Sequence, residues 1–470
     1  MQQPHILLIT SDQHRGDCLG INGHPVVSAP NLDFLAASGA NFPSAYVEGP
    51  SCIAARRTLL SGQKPVTHGM VTYWDGVPWE IEHTLPGELG KAGYQTQLVG
   101  KLHMHPPRKR YGFDHVLWAD SPWGENDYTS WLQENGIQSV SPGVAHGQDM
   151  NSWVARPSHL PEEMEHTTWC TDQAMRFLDR RDPSAPFFLY VSYFAPHPPL
   201  TPPQFYYDRY LSLPTPEPVV GDWADQYDGP VPGLDPNAPR GSWDPEAMHR
   251  CRAAYYGLIN FLDDQVARLL QHVRKLGLLQ DTLILYTSDH GEMLGDHNLF
   301  RKTFAYEGSA RIPFFINAPS WLAGEGGAAS ANVVGLQDVM PTLLDAAGAE
   351  VPETVDGASL LPLMRGEDST WRDYLHGEHL GTYRPEDAMQ YLTDGKEKYI
   401  WFTVTGEEQL FNLVDDPQEC RNLATDPNCE ERLVLWRKRL IQELSSRTEG
   451  YTDGKSLIPG RRPNAFQPDE

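Results

Sequence analysis

Short apolar runs recur along the chain, and most of them stop on a polar residue capable of chemistry. Residues 5–10 read as a buried strand that gives way to Ser11-Asp12-Gln13. Residues 95–99 form a second such run and end in Gly100-Lys101-Leu102-His103. A third, 187–193, ends at Ala195-Pro196-His197-Pro198, and a fourth, 283–287, ends at Ser288-Asp289-His290-Gly291-Glu292. A further strand is predicted over 312–316. Helical spacing fills the intervals: 30–39 with Pro near its start and Gly at its end, 85–93, 171–179, a long amphipathic stretch over 247–276, and 339–347. This alternation predicts an α/β fold, a large mixed, mostly parallel sheet sandwiched by helices.

Two stretches, 120–161 and 203–245, lose all periodicity and are rich in Trp, Gly, Ser and Pro; they read as loops and substrate-side insertions. Past residue 371 the pattern changes. Short strands over 388–393, 398–404 and 409–413, with turns at Gly395 and Gly406, precede a helix over 430–444. The organisation expected is a catalytic domain over 1–370, a small C-terminal α+β domain with an antiparallel sheet over 371–446, and a polar tail over 447–470. The tail is read as disordered or as an arm packed on a partner subunit, which leaves a homo-oligomer open.

Composition narrows the partners. The 470 residues carry 62 acidic and 37 basic side chains, a formal charge of −25. So acidic a chain is a poor match for nucleic acid or an anionic membrane surface, and an anionic substrate must be met by a local cluster of cations. The first apolar run lacks a basic leader and no run is long enough to span a bilayer. The six cysteines show no CxxC pair, so a reducing cytoplasm is the expectation.

Asp12, His103, His197, Asp289 and His290 each fall just beyond the end of a predicted strand, the edge where open α/β sheets bind ligands. Asp12, Asp289 and His290 are suited to a divalent cation: carboxylates favour Ca²⁺, Mg²⁺ or Mn²⁺, and the imidazole draws the choice towards Mn²⁺. Cys52 follows the Gly49-Pro50 turn and opens a run of good helix formers, Ile53-Ala54-Ala55-Arg56-Arg57-Thr58-Leu59-Leu60. It therefore sits at a helix N-terminus, which favours negative charge, with Arg56 one turn away.

The segment from Cys52 through Arg56 to Leu59-Leu60-Ser61-Gly62 resembles the signature of the type I sulfatases, with Ala54 where proline is usual. The Asp12-Gln13 and Asp289-His290 pairs are similar to those of the choline-sulfatase and phosphonate-monoester-hydrolase branch. Lys101 and His103 match the family's Gly-Lys-x-His motif, His197 its Pro-His-x-Pro motif, and Lys302 the lysine before Tyr306-Glu307-Gly308. The resemblance implies an alkaline-phosphatase-like fold and hydrolysis of a small-molecule or carbohydrate sulfate ester. It implies that Cys52 is oxidised to formylglycine by a dedicated maturation enzyme, and that one divalent metal, Ca²⁺ first and Mn²⁺ or Mg²⁺ as alternatives, is held by Asp12, Asp289, His290 and residue 52, with Gln13 a weaker ligand or a hydrogen-bond partner.

On that reading Arg56, Lys101 and Lys302 neutralise the sulfate oxygens, and Asp289 helps to activate the hydrated aldehyde. His197 or Lys302 protonates the leaving oxygen, and His103 removes the proton whose loss expels sulfate. Tyr73 stands where the family often has Asn. His297 is a further candidate for the site, and Trp118, Trp123, Trp131 and Trp153 for stacking on the substrate. Two competing readings share these residues: a phosphonate monoester hydrolase or phosphodiesterase, and a non-catalytic anion- or sulfoglycan-binding protein whose Cys52 stays a thiol.

Overall fold

His5–Asp12 is the central strand of the molecule, and every residue after His5 in it is buried. In the computed structural model, which describes residues 3–137, 147–224, 237–324, 331–367 and 371–461, this strand pairs in parallel with Phe187–Pro196 on one side and Thr282–Ser288 on the other. The seven-stranded sheet runs Ala40–Asn41, Phe314–Asn317, Thr282–Ser288, His5–Asp12, Phe187–Pro196, Gln95–Gly100, His115–Trp118. The five strands from Thr282–Ser288 to His115–Trp118 are mutually parallel. Phe314–Asn317 runs antiparallel to its neighbours, so the sheet is mixed but mostly parallel, as the alternating pattern implied.

Strand alternation divides the core. Ile6, Leu8, Phe188, Tyr190, Leu283 and Leu285 pack on one face against Leu59, Leu60 and Leu343. Leu7, Ile9, Leu189, Val191, Ile284 and Tyr286 pack on the other, against Tyr255, Leu262 and Leu269 of the long helix Pro245–Lys275. Burial on both faces explains why these strands read as continuous apolar runs rather than alternating ones. Asp244 caps the long helix by accepting from the N–H groups of Glu246 and Ala247 at 2.9 and 3.3 Å.

The four-stranded antiparallel sheet, in the order Leu375–His379, Met389–Thr393, Glu397–Phe402, Glu408–Asn412, packs with the helix Glu430–Glu443. Its edge strand Leu375–His379 escaped the sequence pattern because Gly377, Glu378 and His379 are poor strand markers. This sheet shares a core with the larger unit: Tyr46, Met293, Phe304 and Tyr306 cluster with Met389, Tyr391, Ile400 and Phe411. Glu378 N–H donates to Glu48 O at 2.8 Å, Leu380 N–H to Val71 O at 2.9 Å, and the Tyr391 hydroxyl to Val47 O at 2.6 Å. The buried Lys398 ammonium bridges Glu307 and Glu419 at 2.7 and 2.9 Å.

Three segments differ from the expectation. The stretch 120–161 contains a helix, Asp127–Glu134, opened by a reciprocal cap between Asn126 and Thr129. The stretch 203–245 contains the helix Gln204–Leu211; residues 138–146 and 225–236 lie outside the described residues. The described part of the tail packs on its own chain: Arg447 pairs with Glu378 at 2.9 Å, and buried Tyr451 meets the edge of Trp401 at 5.9 Å. No described helix is long and apolar enough to cross a membrane.

Candidate active site

Register brings the polar strand ends together. Asp12 pairs with Pro196, Ser11 with Ser288, and Gly100 with Ser192, so Asp12, Lys101, His197 and Asp289 emerge at one edge of the sheet. At Gly100 (φ +104°) a Cβ would lie 2.0 Å from Ser192 O. Only glycine permits this approach, which delivers Lys101 to the site.

The helix Cys52–Ser61 points its N-terminus into the same place, with all ten residues buried. Cys52, its first residue, is 1% exposed. Its Sγ lies 3.1 Å from His290 Nε2 and 3.9 Å from Asp12 Oδ1. His290 Nε2 is in turn 3.8 Å from Asp12 Oδ1 and 3.8 Å from Asp289 Oδ1. One ligand atom from each of Asp12, Cys52, Asp289 and His290 lies within 4.8 Å of all the others.

The second polar atom of each of Asp12, Asp289 and His290 is already engaged. Asp12 Oδ2 takes the Lys101 ammonium at 2.5 Å and the Arg56 guanidinium at 3.4 Å. Asp289 Oδ2 accepts from Arg56 Nε at 2.9 Å, and its Oδ1 accepts from the Gln13 N–H at 3.1 Å. His290 Nδ1–H donates to Gly291 O at 2.9 Å, which turns Nε2 towards the common gap. Arg56 is fixed by Lys101 O at 2.9 Å and Ser192 Oγ at 2.8 Å.

The Gln13 side chain bridges two neighbours, accepting from Lys302 Nζ at 2.8 Å and donating to Glu292. Lys302 Nζ also lies 3.1 Å from His197 Nε2, while His197 Nδ1–H donates to Pro198 O at 2.5 Å. His103 is held differently. Asp120 Oδ1 accepts from the N–H groups of Leu102 and His103 at 2.7 and 2.9 Å, and Asp75 lies 3.8 Å from His103 Nε2. Gln13 (φ 70°) and His103 (φ 56°) are both left-handed without being glycine, a strain that is stored where surrounding contacts over-determine it.

Electrostatics follow from burial and crowding. Burial favours the neutral form of Asp12, yet Lys101 first, with Arg56 and His290, holds it well below the usual carboxylate range. Asp289 is raised by burial and by Asp12 beside it. His197 is driven well below its ordinary value by burial and by Lys302, so it stands neutral. The Cys52 thiol is pushed up by burial and Asp12 but lowered more by Lys101, Lys302 and His290. Two buried carboxylates facing one gap repel each other, and a divalent cation between them relieves that repulsion. The donor set therefore fits a metal.

A cavity of about 460 Å³ opens above this cluster, lined by Cys52, Lys101, His103, His197 and Lys302 at its base. Trp118 and Trp123 reach it, as do Tyr73, Asp75, Met150 and Tyr383. Trp131 instead packs on Tyr128, and Trp153 is buried against Phe300. His297 does not line the cavity: its Nδ1 accepts from the Gly221 N–H at 3.1 Å and its ring packs on Trp223 at 4.6 Å. Sequence reasoning missed Ser192, Glu292, Asp75 and Asp120. Only Glu292, three residues past Asp289, had a local signal in its motif.

A family model described as Sulfatase matches residues 4–349, and one described as N-sulphoglucosamine sulphohydrolase, C-terminal, matches residues 295–447. The chain is 44% identical over 474 residues to an arylsulfatase of Clostridium perfringens (strain 13 / Type A), covering 97% of this chain and 98% of the relative. It is 31% identical over 444 residues to a choline-sulfatase of Rhizobium meliloti (strain 1021), covering 90% and 83%. The crystal structure of the phosphonate monoester hydrolase of Agrobacterium radiobacter superposes with a TM-score of 0.80 at 26% identity, covering 98% of this chain and 100% of that one. With the motifs, the fold and these matches in agreement, the chain belongs to the sulfatase family, the sulfuric ester hydrolases of the alkaline phosphatase superfamily.

Proposed function

We propose that the cavity hydrolyses the sulfate monoester of a small molecule or a single sugar unit, with residue 52 carried as formylglycine and one divalent cation held by Asp12, Asp289, His290 and the oxygen at position 52. One observation carries this reading. Each of the four groups turns one donor atom into a common gap while Arg56, Lys101 or a backbone carbonyl engages the rest of three of them. Bound there, the cation would neutralise sulfate oxygens and acidify a hydroxyl; oxygen donors favour Ca²⁺, with Mn²⁺ or Mg²⁺ as alternatives. Gln13 Oε1 keeps a second lone pair for it.

The protein's own groups supply the rest. A hydrated aldehyde at position 52 offers one hydroxyl as nucleophile and a second whose deprotonation expels sulfate, which a thiol lacks. Lys101 and Lys302 flank position 52 and balance the charge that grows on the sulfate oxygens, while Arg56 fixes Asp289. Lys302, donating to a neutral His197, is the acid for the leaving oxygen, and His103 is the base for the second hydroxyl. Cys52 is 1% exposed, so a maturation enzyme must reach it before the fold closes. Six unpaired cysteines support a reducing, cytoplasmic setting.

Phosphonate monoester or phosphodiester hydrolysis is the second reading, favoured by the likeness to the Agrobacterium enzyme. Sulfate release from an aryl sulfate, measured beside turnover of an aryl phosphonate and a phosphodiester, separates the two. Mass spectrometry of the Ser51–Arg56 peptide reports the state of residue 52. Faster phosphonate or phosphodiester turnover would replace the leading reading, and a retained thiol with no turnover would leave an anion-binding protein.

A further inference from the structure

We propose that the chain whose Cys52 remains a thiol is itself a metal site of a different class, binding Zn²⁺ or Co²⁺ through the thiolate, whereas the chain with oxygen in place of that sulfur presents a hard-cation site. The inference rests on the metal set proposed above and adds a function for the unmatured protein.

Cys52 Sγ to His290 Nε2 is 3.1 Å, Cys52 Sγ to Asp12 Oδ1 is 3.9 Å, and His290 Nε2 lies 3.8 Å from each carboxylate oxygen. Metal–donor distances of about 2.0–2.3 Å in a tetrahedral zinc site place its donors roughly 3.3–3.6 Å apart. The thiol form thus presents one sulfur, one imidazole nitrogen and two carboxylate oxygens near the corners of a complete four-coordinate shell. The four edges given lie near that spacing, and the remaining two fall within the 4.8 Å that encloses all four donor atoms.

The donors are also aimed. His290 has its Nδ1 tied to Gly291 O, so Nε2 is the ring nitrogen that faces inward. Lys101 and Arg56 hold the far oxygens of the two carboxylates; of the near ones, Asp12 Oδ1 faces the gap and Asp289 Oδ1 faces it while also accepting from the Gln13 N–H at 3.1 Å. Ca²⁺ takes 6–8 oxygen donors and gains nothing from sulfur. A thiolate beside an imidazole selects Zn²⁺ and its analogue Co²⁺. Binding releases the thiol proton to solvent, Cys–SH and M²⁺ giving Cys–S–M⁺ and H⁺, with no change of oxidation state. Replacing sulfur by an oxygen at position 52 removes the soft donor and leaves one nitrogen among oxygens.

The test uses the full chain produced without a maturation enzyme, its thiol verified by mass, stripped with a chelator and titrated with Co²⁺. The expected result is one equivalent bound, with a thiolate-to-cobalt absorption band in the near ultraviolet and intense visible bands of four-coordinate cobalt. The near-ultraviolet band should be absent from Cys52→Ser and from the matured chain, which serves as the folded comparison should the variant misfold. Zn²⁺ should displace Co²⁺ from the thiol form at concentrations at least on the order of a hundredfold below those of Ca²⁺, a preference that shrinks at least about tenfold without the thiol. No Co²⁺ binding, a cobalt complex lacking a Cys52-dependent band, or equal Zn²⁺ preference in both chains would overturn the proposal. These outcomes are read on the unmatured protein, so they stand apart from whether the matured protein releases sulfate.

Discussion

The Lys302 ammonium donates to His197 Nε2 across 3.1 Å, and His197 turns its other nitrogen to Pro198 O. His197 therefore has no proton to offer at Nε2, and Lys302 is the group with a proton facing the cavity. Lys302→Met should lower turnover of esters with poor leaving groups by about 10²–10⁴ more than that of a nitrophenyl sulfate, whose leaving oxygen needs no acid and which loses only the charge balance on the sulfate oxygens. His197→Asn should show a smaller loss with the same leaving-group trend. A Brønsted plot of kcat/KM against leaving-group pKa checks both; an equal loss for all esters would remove Lys302 from the acid role.

Arg56 links three parts of the site, binding Asp289, Lys101 O and Ser192 Oγ from within a helix that is entirely buried. Arg56→Met leaves Asp289 without its cation, and breaking a buried pair in this way costs about 3–5 kcal/mol. Denaturant unfolding in the presence of chelator measures that loss. Metal affinity should fall on the order of 10–100-fold, because the ligand is no longer oriented. A variant as stable as the parent would show that the pair is replaceable.

Metal should stabilise the fold as well as enable turnover. The crowding that raises Asp289 beside Asp12 is relieved by a divalent cation. Ca²⁺ or Mn²⁺ at a hundred times its Kd should then add about 2.7 kcal/mol, seen as a rise in Tm over the chelated protein. Asp12→Asn should abolish the rise, and chelation should abolish sulfate release until metal is restored. A Tm indifferent to metal would count against the cluster as the binding site.

His68 should make stability depend on pH. Met70 N–H donates to His68 Nδ1 at 3.2 Å, so Nε2 carries the proton and donates to Thr58 Oγ1 at 2.9 Å. Burial, then Arg57, pushes this histidine down to about 3. Below the unfolded value of about 6.5 the unfolded chain binds a proton that the folded one refuses. Stability is thus full above that value and lost as pH falls towards the folded one. Between pH 7 and 5 the parent should lose about 2 kcal/mol more than His68→Gln, measured by urea unfolding at both pH values.

The polar strand ends were legible because a parallel sheet places them by topology alone. Once 5–10, 95–99, 187–193 and 283–287 read as strands, Asp12, Lys101, His197 and Asp289 had to share an edge. Cys52 was legible from its Gly-Pro turn and the helix formers behind it. The partners that fix these groups were not. Arg56 and Asp289 are 233 residues apart, and no local pattern pairs them. Ser192 lies within a strand whose ten residues are all buried, so it looks like any other core position. The Asp127–Glu134 helix was hidden among Trp and Gly, although Asn126 and Thr129 at the right spacing announce its start.

Tyr383 and Thr382 reach the cavity from the chain that follows the edge strand of the antiparallel sheet. The residues that would handle sulfur come from the ends of the large sheet's strands, the helix Cys52–Ser61 and the segment around Lys302, whereas this part of the wall, which would meet the departing alcohol, comes from beyond residue 371. Exchanging the C-terminal portion between relatives at that junction would therefore trade the identity of the accepted alcohol while keeping the reaction type, and a chain truncated there would be left with a breached pocket rather than a minimal enzyme.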